Sequence, residues 1–221
     1  MFINWLKNIR RNAVEKLEDK AYEIKDKYIK SVLGKEHRLV SHSVIPFVIG
    51  GRLDLYYYPD YCNGTAIATK ELTNYKFKKP KNHTYDAYEL VMVTRYKLDL
   101  DSTGHKNPPE NTFAYDHKYI SRILSTVAVY SKHAKLNPYE TMEFPEDFDE
   151  IVGGKCLILD ALSEPFCNQE TKNRKLGLML LMEIHRDEME YAIQHRGENL
   201  INKLKDKGVY PFTGIHRPSV L

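Results

Sequence analysis

The stretch "GRLDLYYYPDYC", residues 51–62, sets Asp54 inside an apolar, strand-like run that three tyrosines and Pro59 bring to a close. A carboxylate in such a place can act as a general acid or base, orient a partner, or simply face water. Catalysis by a nucleophile needs a base held by a third group, and the sequence has no GxSxG elbow. Cys62 lies beside a predicted turn, and the nine histidines are scattered without a pairing signature. Neither GxGxxG nor GxxxxGK[ST] occurs, so Gly50-Gly51 and Gly153-Gly154 read as turns and no nucleotide cofactor is expected.

Metal chemistry has one candidate, "HRDEMEYAIQH", where His185, Glu188 and His195 fall on or near one helix. Neither HExxH nor Glu-x-x-His is present, and a solvated helix start explains the same residues without a metal. "PDY" at 59–61 suggests the first acid of a nuclease core, but Glu89 on the next good strand is followed by Leu90 and Val91 where that core needs a lysine. "YKFKKPKNH", 75–83, mixes aromatics with four lysines, ingredients of a single-strand nucleic-acid surface and equally of an exposed loop.

The elements that must position these groups follow from periodicity. Residues 2–33 read as a long amphipathic helix, with Val14, Leu17, Ala21, Ile24 and Tyr28 forming its stripe. That helix could pack on its own domain, zip with a partner helix, or lie on a membrane surface through Lys7, Arg10 and Arg11. "VIPFVI" and "LDLYYY" read as strands joined at Gly50-Gly51. Alternation puts Leu53, Leu55 and Tyr57 on one face and Asp54, Tyr56 and Tyr58 on the other. Pro59, which has no N–H, is expected to end the ladder.

"TAIAT", "YELVMV" and "RYKLDL" continue the strands, and "DSTGHKNPPEN", 101–111, reads as an exposed loop. Ile120, Ile123, Leu124 and Val127 then mark a helix in "HKYISRILSTVAVYSKH". "KCLILDAL" and "KLGLMLLMEIH" are strands, the second apolar on both faces and so expected at the centre of the sheet. The end is helical, with Asp187 and Glu190 at capping-box spacing, Gly197 as a break in the pattern and Gly208 as the stop. These elements predict an α/β (α+β type) fold, a mixed sheet with helices packed against it. The helix of residues 1–38 comes first, and a domain over 39–221 follows.

Composition narrows the function classes. A net charge of +3, with 42% hydrophobic and 29% charged residues in 221, is ordinary for one globular body and demands neither nucleic acid nor membrane as a partner. Charge is nonetheless segregated: bases crowd the first 38 residues, whereas "ETMEFPEDFDE", 140–150, holds six carboxylates and no base. Such segregation can steer a protein partner or mark solvated faces. Three cysteines without CxxC spacing, and no apolar leader, suit a reduced, cytoplasmic protein.

In their order, "GRLDLYYYPDYCNGTAIATKELTN", "YELVMV", "FPEDFDEIVGGKCLILDAL", "LMLLMEIHRDEMEYAIQHRGENLINKLKDKG" and the closing "HRPSV" resemble the Suppressor of fused family. The resemblance spans about residues 40–221; the chain departs from it at "ATKELTN", which lacks the family's Gly and Met in that turn, and in its long basic first helix. It implies a non-enzymatic α/β binding protein. Animal members clamp an extended peptide of a transcription factor against strands, and single-lobed bacterial members are associated with immunity to toxins. The length here is that of a single lobe, which implies a bacterial-type member binding a toxin domain or an extended peptide. Asp54, Tyr56 and Tyr58 are the candidate partner contacts, with local packing of the same three side chains as the alternative. The rival class is a hydrolase, nuclease or esterase-like, with Asp54, Glu89 and His117 assembled by folding.

Overall fold

The computed structural model describes residues 19–45, 47, 51–74, 79–168, 174–214 and 216–221. Among these residues seven strands form one mixed sheet in the order β1-β2-β3-β4-β7-β6-β5. They are β1 (Val40–Ser41), β2 (Leu55–Tyr61), β3 (Gly64–Ala68), β4 (Ala87–Thr94), β5 (Thr141–Glu143), β6 (Cys156–Ala161) and β7 (Leu176–Ile184). Neighbours run antiparallel except β4 and β7, which are parallel from Ala87↔Leu176 to Val91↔Leu180. Every residue of β4 and β7 is buried, as expected of strands covered on both sides.

Helices supply both covers. On one face, helix α1 (19–33), α3 (Arg186–His195) and α4 (Gly197–Asp206) set Ile29, Leu33, Met189, Leu200, Ile201 and Leu204 against Val91, Leu178, Leu180 and Met182. On the other, α2 (Phe113–Ser131), alone among the described α-helices, sets Ile120, Ile123, Leu124 and Val127 against Leu90, Met92, Leu159 and Leu181. The helix starts four residues before the expected segment, which begins at His117, because Thr112 caps it, its side chain accepting from the Tyr115 N–H. The described part of the helix, with Tyr28, shares its core with the sheet; Val14 and Leu17 of the zipper stripe, and the Lys7, Arg10 and Arg11 cluster of the membrane reading, lie outside the described residues.

Several boundaries differ from expectation. β2 continues past Pro59 to Tyr61, because β1 ends opposite Tyr56 and leaves Pro59 on an edge, where a missing N–H costs least. Val44 and Ile45 form a bend rather than a strand, and residues 95–100 leave the sheet after β4. The box that starts α3 is three residues wide but set two residues earlier than expected: Glu188, not Glu190, reaches back, its carboxylate accepting from the His185 N–H at 2.9 Å. Gly197 does divide the terminal helices. A Cβ there would stand 1.9 Å from the Tyr139 carbonyl oxygen, so only glycine allows that approach.

α1 is fastened through a buried ionic cluster. The Glu89 carboxylate accepts from Thr69 Oγ1, Thr73 Oγ1, the Leu72 and Thr73 N–H groups, and Lys25 Nζ at 3.3 Å. Lys25 Nζ also reaches Asn74 Oδ1 and the Lys70 carbonyl, while Lys70 Nζ reaches Asp26 and Glu36. Burial pushes the Lys25 pKa down, and the facing Glu89 carboxylate opposes that fall. Removing one member of a buried pair leaves the other charged and unpaired. Glu89→Ala should therefore cost about 3–5 kcal/mol in urea unfolding, against at most about 1 kcal/mol for Lys30→Ala, whose half-exposed ammonium loses pairs with Asp26 and Glu36. A Glu89→Ala loss under about 1 kcal/mol would mean the cluster does not hold α1.

His117 on α2 lies between the Tyr57 and Phe113 rings, and its Nε2 pairs with the Tyr57 hydroxyl at 2.8 Å. Burial lowers its pKa to about 4, from 6.5. Between those values the unfolded chain takes up a proton that the folded chain refuses, so stability falls on acidification. Neighbouring Asp116 works the other way. Burial raises its pKa from 3.8 to about 6, so over that window the folded state holds the extra proton and acidification favours it. His117→Gln should flatten the acid loss by up to about 1.4 kcal/mol per pH unit, and Asp116→Asn should steepen it. Chemical unfolding at a series of pH values between about 4 and 7 reads both; slopes unchanged in both variants would show that neither group titrates differently on folding.

Candidate functional site

Helix α2 covers the middle of its face of the sheet, and a groove runs beside its outer side. Its volume is about 1190 Å³. The periodicity that turns Ile123, Leu124 and Val127 inward leaves Val129 and Tyr130 facing out near the end of the helix, each 51% exposed. Val44 and Ile45 form a second wall, Phe148 a third, and buried Leu53, Leu55 and Phe144 lie beneath. Of the ten large hydrophobic side chains exposed among the described residues, five line this one groove. Clustering on that scale, unlike scattered exposed apolar residues, marks an interaction surface.

The wall carrying Phe148 is held by Arg122, whose guanidinium donates from Nε and Nη2 to Asp149 Oδ2 at 3.0 and 2.6 Å. Asp149 Oδ1 in turn accepts from the Ile151 and Val152 N–H groups. Desolvation works against the Asp149 charge, but Arg122 and these N–H donors outweigh it and hold the carboxyl below its usual range. Gly153 and Gly154 close the loop: a Cβ on Gly153 would meet the Glu146 carbonyl at 2.3 Å, and Gly154 has φ +72° while its N–H donates to the Phe144 carbonyl.

The groove also borders a free sheet edge. The Leu159 N–H donates to the Glu140 carbonyl and the Phe144 N–H to the Lys155 carbonyl, so residues 140, 142 and 144 turn their backbone toward β6. Alternation then turns Thr141 and Glu143 outward, on the side of β5 that has no described strand beside it. An arrangement of apolar walls and an open strand edge suits an extended polypeptide better than a small molecule.

The residues singled out from the sequence sit around this groove rather than in it. Tyr56 and Tyr58 share one side of β2, and it is the side under α1, whereas Asp54 immediately precedes the strand. Tyr58 is fully buried, its hydroxyl without a hydrogen-bond partner among the described residues, and Tyr56 is half-buried with Lys70 Nζ 4.5 Å above its ring. Asp54 braces a wall. Its Oδ1 accepts from the Ser43 N–H at 2.9 Å and its Oδ2 pairs with His42 Nδ1 at 2.7 Å, and both partners line the groove.

Asp54, Glu89 and His117 are not brought together. His117 is held by Tyr57 on the α2 face, Glu89 is consumed by the cluster under α1 on the opposite face, and Asp54 is tied to His42 and Ser43 at the β1–β2 edge. His185 and Glu188 of "HRDEMEYAIQH" are spent on structure, and His195 is exposed at the end of α3. Arg217 donates both terminal nitrogens to Glu188 at 2.6 and 2.7 Å, the Val220 N–H adds a further donor, and His185 Nε2 pairs with the Arg217 carbonyl. Among the described residues no group of three or more His, Cys, Asp or Glu is arranged to hold a metal ion.

Sequence reasoning passed over the groove-lining residues. Their signal was present: Val129 and Tyr130 are apolar yet off the inward stripe of α2, and Phe148 is the lone aromatic within "PEDFDE".

No curated protein matches this sequence. Among solved structures, the Sufu-Fu complex crystal structure matches with a TM-score of 0.60 at 13% identity, over 92% of this chain and 91% of the matched one. Drosophila Suppressor of Fused matches with a TM-score of 0.53 at 15% identity, over 80% of this chain; the chain spans 46% of that protein's length. At such identities these likenesses establish a shared fold. Residues 52–218, three-quarters of the chain and all of the sheet beyond β1, match the model for Suppressor of fused protein (SUFU), and the chain belongs to that family.

Proposed function

We propose that this protein is a binding module that captures a segment of a partner protein in the groove beside α2, and that it serves as a bacterial immunity protein neutralising a cognate toxin. The observation that carries the binding reading is the gathering of Val44, Ile45, Val129, Tyr130 and Phe148 around one groove next to the open edge of β5. A partner backbone laid along Thr141 and Glu143 would gain main-chain hydrogen bonds, and its alternate side chains would fill the apolar walls. The family supports a protein partner, as does the likeness to a Sufu solved in complex with Fu. A cytoplasmic site of action belongs to the same reading; no helix among the described residues is long and apolar enough to cross a membrane.

Asp54, Tyr56 and Tyr58 enter this proposal at its margin. Asp54 meets the partner through the His42–Ser43 wall that it fixes, and Tyr56 and Tyr58 set the position of the strand behind that wall.

The test is recovery of the partner from the native host with a tagged chain, identification by mass spectrometry, and repetition with Val129→Asp and Asp54→Arg. An aspartate at a buried contact of the complex should weaken binding at least about a hundredfold, by about 3 kcal/mol. Asp54→Arg should weaken it less, by loosening one wall. Partner binding untouched by Val129→Asp would remove the groove from the interface, and binding untouched by Asp54→Arg would remove that wall. For the immunity role, the partner expressed alone should arrest growth and co-expression of this chain should restore it; a partner harmless on its own would leave a regulatory binding protein.

A further inference from the structure

The walls of the groove differ in charge, and that difference defines the partner more closely. Of the acids in "ETMEFPEDFDE", Glu143 is paired with Arg186 and Asp149 with Arg122. Glu146, Asp147 and Glu150 are exposed and form no ion pair with a described residue, and in sequence they flank Phe148, which with Pro145 lines the groove and makes this segment its acidic rim. Across the groove, Arg52 is exposed and lines the opposite wall. Three carboxylates within five residues repel one another, and their field is strongest next to an apolar surface that displaces water. A cation brought to that rim relieves the repulsion, whereas one brought to the Arg52 wall adds to it.

We propose that the groove's occupant is an extended partner segment that sets apolar side chains against Val129, Tyr130 and Phe148 and lysine or arginine side chains against the Glu146, Asp147 and Glu150 rim. This inference rests on the groove being a docking site and adds the chemistry and orientation of what docks. The apolar walls supply most of the affinity. The rim selects a cationic partner, speeds its encounter and fixes which way round it lies.

The probes are three labelled short peptides in which valine alternates with lysine, with glutamate or with serine, measured by fluorescence anisotropy on the full chain. Two variants accompany the unaltered protein. One reverses the rim (Glu146→Lys, Asp147→Lys, Glu150→Lys), and the other makes the helix wall polar without changing charge (Val129→Ser, Tyr130→Ser); all five positions are exposed, so folding is expected to survive. The lysine peptide should bind about tenfold tighter than the glutamate peptide at low salt, less so at high salt. Reversing the rim should invert that order, and the serine variant should abolish binding of all three.

Equal binding of the three peptides, lost in the serine variant, would leave the groove as a docking site and overturn the cationic partner. A lysine preference that survives the serine variant would reflect surface charge alone and overturn it too. No binding by any peptide would overturn the docking reading itself, and this inference with it.

Discussion

The central constraint is that β4 and β7 are apolar on both faces and pair in parallel at the middle of the sheet. Such a pair must be covered twice. Among the described residues the α-helices are shared unequally between the two faces, with α1, α3 and α4 on one and α2 by itself on the other. One helix is about 10 Å wide, and seven strands spaced about 4.8 Å apart make a sheet nearly three times broader. The face under α2 is therefore left with margins, and short loops from β1 and β5 only partly roof them. The groove is the geometric residue of covering a wide sheet with a single helix.

The fully covered face has a different problem, since α1 precedes every strand and must find its place on a surface with little directional preference. Ile29 and Leu33 supply attraction without register. Register comes from Lys25, which has its partners at Glu89, Asn74 and the Lys70 carbonyl, and from Lys70, which returns the contact to Asp26 on the same helix. A helix shifted by one turn would bury both ammonium groups unpaired. The C-terminal tail is placed by the same device, with Arg217 and the Val220 N–H converging on a Glu188 carboxylate that is wholly buried. Polar contacts here decide position, and apolar burial provides the driving force.

How far the sequence foretold this depends on the range of the signal. β7 and α2 were legible because their patterns are complete within one element: unbroken apolar residues from Leu178 to Met182, and Ile120, Ile123, Leu124 and Val127 at helical spacing. The side of β2 that each tyrosine faces was legible for the same reason. What covers that side was not, because Tyr58 is buried by a helix about 30 residues earlier, and no local pattern distinguishes a tyrosine under a helix from one awaiting a partner. "VIPFVI" misled for a related reason. Its apolar character reads as strand burial, yet Val44 is 99% exposed and Ile45 55%, so these side chains answer to the groove and not to the core.

That distinction changes the meaning of Asp54. On an isolated strand a carboxylate among apolar residues invites a catalytic reading, and a neighbouring acid, Glu71, repels it: burial and the Asp54 charge both raise the Glu71 pKa. In the fold Asp54 has two specific partners, the Ser43 N–H and His42, and both belong to the segment that walls the groove. A charged side chain that ties down a loop carrying exposed Val44 and Ile45 keeps those residues from collapsing onto the core beneath them, which apolar burial alone would favour. On the proposed reading the aspartate maintains an apolar surface by a polar anchor, and docking there depends on a residue that need not touch what docks.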